Sequence, residues 1–320
     1  MRAMTRWRGS ATVYSVILRQ TWPLQGLVIG LGLLLPPLAV LPLELQRQVI
    51  DIAIPGKDLE LLAWLAAAYL AVILLQGAVK FVVIYLRRWI AEIVMRVLRV
   101  ALVDKRRRQS DRAALQTLGS ATSIMAGEVE PIGGFAAEAL NTPVIQGGTL
   151  LAVFGYMLAT EAALAAVGIV ALVSEALITP VIQHWINLLT YRRIRALRRA
   201  GHDLIEATRP GERHALIDSM GEIRLTYRLR LKMNRLKAGL KVIRNLIDRV
   251  AEIAVLVIGA WMVTTGATEL GVVVAFITAL RRVREPWSEL VSFYRRLADA
   301  RVKYRLIYGQ IRPDPTSSEP

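Results

Sequence analysis

Long uncharged runs recur along this 320-residue chain, and they leave it few folds. A helix needs about 20 apolar residues to cross the hydrocarbon core of a bilayer. Residues 20–43 and 139–160 hold no charged side chain at all. Residues 61–86 are interrupted only by Lys80, and residues 162–185 only by Glu175. Residues 250–268, uncharged from Ile253 onward, and residues 270–292 are read as a fifth and a sixth span. The third and fourth runs are separated by little more than Thr160 and Glu161, the fifth and sixth by Thr268 and Glu269, so both pairs are expected to be tight helical hairpins. Two much longer connections, residues 87–138 and 192–249, carry most of the arginines.

Charge narrows the class further. The chain is 54% hydrophobic yet has a formal net charge of +16. A nucleic-acid binder would account for the charge but not for the apolar runs, so no nucleic-acid partner is expected. An integral membrane protein with basic cytoplasmic parts accounts for both. The run Lys105, Arg106, Arg107, Arg108 is read as a contact with membrane lipid headgroups. There is no cysteine, and His184, His202 and His214 are scattered, so neither a disulfide framework nor a metal site is expected. No nucleophile, base and acid stand in a catalytic pattern. The fold class that follows is all-α: a polytopic membrane protein of six spans with long helical intracellular loops.

Orientation comes from the placement of lysine and arginine. Arg2, Arg6, Arg8 and Arg19 precede the first span, and the loop after it is acidic on balance through Glu44, Asp51, Asp58 and Glu60. Both termini and both long connections are therefore expected in the cytoplasm of an inner or plasma membrane. Trp22-Pro23 would let residues 11–20 lie along the surface as an elbow. Lys80, about 30 Å from the outer end of its run, is expected to snorkel to the inner interface. Each long connection has room for a descending helix, a turn and an ascending helix. The turns are placed at Arg108-Gln109-Ser110-Asp111 and near Gly221. Residues 311–320 form a tail rich in proline and serine.

Four short motifs lie in order along these spans: Val49-Ile50-Asp51-Ile52-Ala53-Ile54-Pro55; Met220-Gly221-Glu222-Ile223-Arg224-Leu225-Thr226-Tyr227; Gly266 and Gly271 followed by Ala275-Phe276; and Glu285-Pro286-Trp287-Ser288-Glu289-Leu290. With them, nearly the whole chain resembles the transmembrane domain of ATP-binding-cassette exporters of the six-helix type. The resemblance implies a second transmembrane subunit, as homodimer or heterodimer, and an ATPase partner that carries ATP and magnesium. It also implies coupling helices at the loop tips, here near Ala114, Leu115 and Leu118 and near Glu222, Arg224, Tyr227 and Arg230. The departure is large, because no G-x-x-x-x-G-K-[ST] phosphate loop and no Leu-Ser-Gly-Gly-Gln signature occurs in these residues. Either the ATPase is a separate chain or a fused one has been lost. A scaffold, a regulator or a truncated product that kept the fold is the alternative to a transport subunit.

Charges inside the spans mark the candidate substrate pathway. Arg281 lies about 16 Å along the sixth span, where a charge is costly unless it faces a cavity or a partner. Arg281, Arg282, Arg284 and Glu285 precede the helix-kinking Pro286. Arg281 and Arg284 are expected to share a cavity-facing face, and Arg282 to point elsewhere, toward Glu175. Two guanidiniums on one face favour an anionic or lipid-like substrate. The competing reading puts all of these charges at the cytoplasmic boundary. With no backbone cradle and lysine for the phosphates, the purified chain is predicted not to hydrolyse ATP by itself. Steady turnover by the isolated protein in lipid, with no ATPase added, would overturn that reading.

Overall fold

A computed structural model describes the backbone of residues 13–108, 129–206 and 213–311. Its helices are α1 (Val13–Gly32), α2 (Leu35–Gln48), α3 (Ile54–Gly56), α4 (Leu59–Arg108), α5 (Val129–Glu138), α6 (Asn141–Thr160), α7 (Ala162–Glu206), α8 (Arg213–Thr264) and α9 (Leu270–Ile311). A π-helical turn, Val49–Ala53, joins α2 to α3. No strand occurs among the described residues. The chain divides into two units, residues 1–160 with 269–320, and residues 161–268.

Among the described residues, four stretches are long and apolar enough to cross a membrane: Thr21–Gly56, Leu59–Ala101, Val129–Thr160 and Ala162–Leu197. The fifth and sixth expected spans do not meet that measure by composition. In α8 the apolar stretch is preceded by Asp248, Arg249 and Glu252, and the helix ends at Thr264. In α9 eleven uncharged residues are followed by Arg281, Arg282, Arg284 and Glu285. The reason α9 tolerates these charges is visible in the first unit. It packs against α6, α2 and α5, and Val272, Val273, Ala275, Phe276, Ala279, Leu280 and Val283 are all buried there. A helix clad by protein is under less pressure to be apolar throughout than one facing lipid.

Proline and glycine set the breaks. The chain runs helical through Pro23, where an elbow was expected, and turns instead at Leu33 and Leu34. Pro36 and Pro37 follow at the start of α2, so two consecutive amide donors are missing and the earlier helix cannot continue. The break between α5 and α6 has a similar origin. Pro143 gives the carbonyl of Ala139 no intrahelical donor. Buried side chains cap the last carbonyls of α5. Gln25 Nε2 donates to Ala136 O at 2.9 Å, and Asn141 Nδ2 donates to Ala137 O at 3.2 Å and to Gln25 Oε1 at 2.8 Å. Next to this joint Phe135 sits between Tyr14 and Phe293, with ring centroids 5.8 Å apart in both pairs. The surrounding core adds Val94, Leu98, Ile132 and Ala300.

The second unit is a helical hairpin. Going back along α7 from Arg199 through Thr190 to Glu175, the partners on α8 advance from Glu222 through Met233 to Arg244, which makes the helices antiparallel and in register. At about 1.5 Å per residue, α8 alone extends far beyond a bilayer's thickness. It closes in Gly266, whose φ of +72° lets the amides of Gly266 and Ala267 reach the carbonyls of Val263 and Met262.

The buried amides at the joint of α5 and α6 yield a prediction. Gln25→Leu leaves the Ala136 carbonyl and the Asn141 side chain short of partners, at a cost of about 1–3 kcal/mol. The measurement is the thermal unfolding midpoint in mild detergent. An unchanged midpoint would show that water or relaxation replaces the glutamine.

Candidate functional site

The charged segment of α9 separates by face. Successive residues on a helix are about 100° apart, so Arg281 and Arg284 lie about 60° apart, Glu285 falls between Arg281 and Arg282, and Arg282 stands off this pair. Arg281 and Glu285 are exposed, Arg284 is half-buried, and Val283 and Pro286 are buried. Lys80 Nζ of α4 meets Glu285 Oε1 at 2.8 Å, with the two side chains 56% and 67% exposed. Lys80 was expected to reach the interface; its observed partner is this carboxylate. Arg282 turns to α2, where its Nη1 donates to Ala39 O at 3.2 Å. The carbonyl one residue earlier, Leu38 O, accepts from Gln76 Nε2 of α4.

Glu175 was expected to receive Arg282. Its partner is Arg244 on the neighbouring helix α8, and the carboxylate is only 8% exposed. The physical reason is register: antiparallel pairing of α7 and α8 brings these two residues to one level, where each charge offsets the cost of burying the other. Farther along the same hairpin Arg249 Nη1 meets Glu252 Oε2 at 3.0 Å.

At the opposite end of α9 two of the quoted motifs meet. Asp51, in the π turn, accepts the backbone N–H of Gly271 through Oδ1 at 2.6 Å. Gly271 is the second residue of α9, so a carboxylate stands at the positive end of the helix dipole, where it also satisfies an orphan amide. Only glycine fits there. A Cβ at position 271 would lie 2.5 Å from Asp51 Oδ2 and 2.7 Å from Arg47 O. Arg47 Nε is 3.7 Å from Asp51 Oδ2 and 3.9 Å from Glu269 Oε2, and Glu44 accepts from Tyr156 Oη at 3.0 Å.

Of the expected coupling residues, Ala114, Leu115 and Leu118 lie outside the described residues. Glu222, Arg224, Tyr227 and Arg230 are within the helical run of α8, and Glu222 accepts from Arg199 at 3.2 Å. No turn occurs at Gly221, where one was placed: the helix runs through it without a break. Asp51, Gln76 and Arg244 were not singled out as functional. Asp51 lay in a quoted motif, whereas no local pattern marks Gln76 or Arg244.

Residues 42–209, just over half of the chain, match the family described as the ABC transporter transmembrane region. The chain belongs to that family. No curated protein matches it in sequence. The match begins within α2 and ends just past α7, so it takes in the second, third and fourth of the four compositional spans and part of the first. The motif G-x-x-x-x-G-K-[ST], whose backbone amides and lysine hold nucleotide phosphates, does not occur in these 320 residues. No step of nucleotide chemistry is assigned to this chain.

The Glu175–Arg244 pair can be tested by a double-mutant cycle. Glu175→Ala strands Arg244 in the hairpin and is predicted to cost up to about 3–5 kcal/mol, whereas replacing both by leucine costs less. Chemical unfolding of the four proteins measures this. Additive losses would mean that the two side chains do not act as a pair.

Proposed function

We propose that this chain is the transmembrane subunit of an ATP-driven exporter. It moves its substrate by alternating access, as a dimer with a second transmembrane subunit. An ATPase domain not contained in these residues supplies the power stroke. Both termini and both long connections lie on the cytoplasmic side in this reading, and the loop tips are the docking points for the ATPase. The observation that carries the pathway assignment is the exposed charged face of α9. Arg281 and Glu285 stand one turn apart, and Glu285 pairs with an exposed lysine from an apolar span. An exposed ion pair at such a level calls for water or a polar partner in place of lipid tails.

Lys80, Arg281 and Arg284 against Glu285 make that face net positive. This favours a substrate with a carboxylate or phosphate group, because guanidiniums bind such groups with paired donors. Pro286 removes the amide that would bond to the carbonyl of Arg282, so α9 has a place to bend beside these charges.

The test uses the chain with its cognate ATPase in vesicles that hold labelled anionic and zwitterionic lipids. Arg281→Gln with Arg284→Gln is predicted to lower anionic-lipid movement at least tenfold, with assembly and ATP hydrolysis retained. Unchanged movement of every transported species, with both arginines gone, would remove them from the pathway.

A further inference from the structure

Arg282 is the arginine of the segment that the transport reading leaves unused, and its surroundings give it another task. Pro42 of α2 has no amide hydrogen, so the carbonyl of Leu38 loses its donor four residues on. Gln76 of α4 donates to that carbonyl, and Arg282 of α9 donates to the next one, Ala39 O, at 3.2 Å. At the far end of the same helices Asp51 takes the amide of Gly271 at 2.6 Å. Eleven residues separate Gly271 from Arg282, about three full turns, so both ties leave α9 from one face, about 20° apart. Ala275 and Ala279 lie on that face too, both buried. Along α2 and its π turn, Ala39 and Asp51 are about 18 Å apart if the rise is helical, and the two points on α9 are about 17 Å apart. The spacings match.

We propose that Asp51 and Arg282 are positioning residues whose two ties to α2 and its π turn fix the rotation of α9. With Arg282 held on α2, Glu285, Arg281 and Arg284 fall at about 60°, 100° and 160° to one side, turned away from α2. Two points on one face resist rolling more than either does alone, and they add to the packing of α9 and to its Lys80–Glu285 and Arg296–Glu138 pairs. Gln76 serves the same joint indirectly, by satisfying the neighbouring carbonyl so that the broken turn stays open to Arg282. The proposal concerns geometry and stands whether or not an anionic substrate passes.

The chain has no native cysteine, so single cysteines can report rotation in the whole protein in lipid. The probe is a charged methanethiosulfonate. Arg281→Cys reports the exposed face and Val283→Cys the buried one. With both ties intact, the first should react at least tenfold faster than the second. With Gly271→Ala and Arg282→Met together, the ratio should fall below threefold, and with Asp51→Asn and Arg282→Lys, which keep an acceptor and a donor, it should hold. Val153→Cys, a fully buried site on α6, reports unfolding. If it opens in the doubly untied protein, the ratio is read in Gly271→Ala and Arg282→Met separately, where an intermediate value is expected. An unchanged ratio in any folded untied protein overturns the proposal. So does an equal fall in the conservative pair, or loss of Val153 protection in both single variants. A second arm tests the broken turn. Gln76→Leu should lower the unfolding midpoint, and Pro42→Ala, which restores the missing amide, should reverse that loss. Failure of the reversal overturns the role given to Gln76.

Discussion

A backbone carbonyl without a donor is tolerable in water and costly in hydrocarbon, and much of the first unit is organised around that difference. Proline creates such carbonyls wherever it enters a helix. At the start of α2 the two prolines end one helix and begin another, where the missing amides would have been orphans anyway. Farther along, Pro42 falls inside the helix, and the freed carbonyl must find a partner elsewhere. That partner is Gln76, from a different helix. At the joint of α5 and α6 the carbonyls of Ala136 and Ala137, left at the end of α5, are met by Gln25 and Asn141. In each case a break in one helix recruits a polar side chain, and the recruited side chain fixes how two helices pack.

The same accounting applies to charge. Glu175 and Arg244 are expensive singly and acceptable together, because antiparallel pairing in the second unit puts them at one level. Asp51 in the first unit is 7% exposed, and it answers both the amide of Gly271 and the guanidinium of Arg47. The Lys80–Glu285 pair is different in kind. Both of its side chains are more than half exposed, so in water it would contribute little to stability. A pair that contributes little to holding the fold can open at little cost.

The all-helical membrane class was legible because it needs only apolar runs longer than a bilayer is thick, and these are local in sequence. A turn was placed at Gly221, and the structure has helix there. Gly221 drew attention, yet one glycine on an exposed helix face costs only about 1 kcal/mol, and the helix passes through it. The charged residues of the sixth run were visible as a group, but their partners were not. Arg282 meets a carbonyl 243 positions away, and Gln76 one 38 positions away. Backbone acceptors carry no residue signature, so no sequence pattern announces such a contact. Asp51 and Gly271 were each noticed for separate reasons, and only the fold joins them across 220 positions.

Three arginines within four residues invite a single explanation, and helical geometry forbids one. Residues 281 and 284 return to nearly the same side of α9, while residue 282 is carried about 100° from the first and 160° from the second. Arg282 therefore meets a different neighbour whatever the other two do. A lysine at position 282 could supply one donor to Ala39 O. The guanidinium has a planar fork of five donors and is less strongly hydrated, so it leaves water for a carbonyl at lower cost. Its positive charge also faces the turn whose amide donor Pro42 has removed, so an acceptor-rich surface meets a donor-rich group. The segment thus divides its labour by periodicity. One face of α9 keeps its charges exposed, and the other uses a charge of the same kind to complete a neighbour's broken backbone.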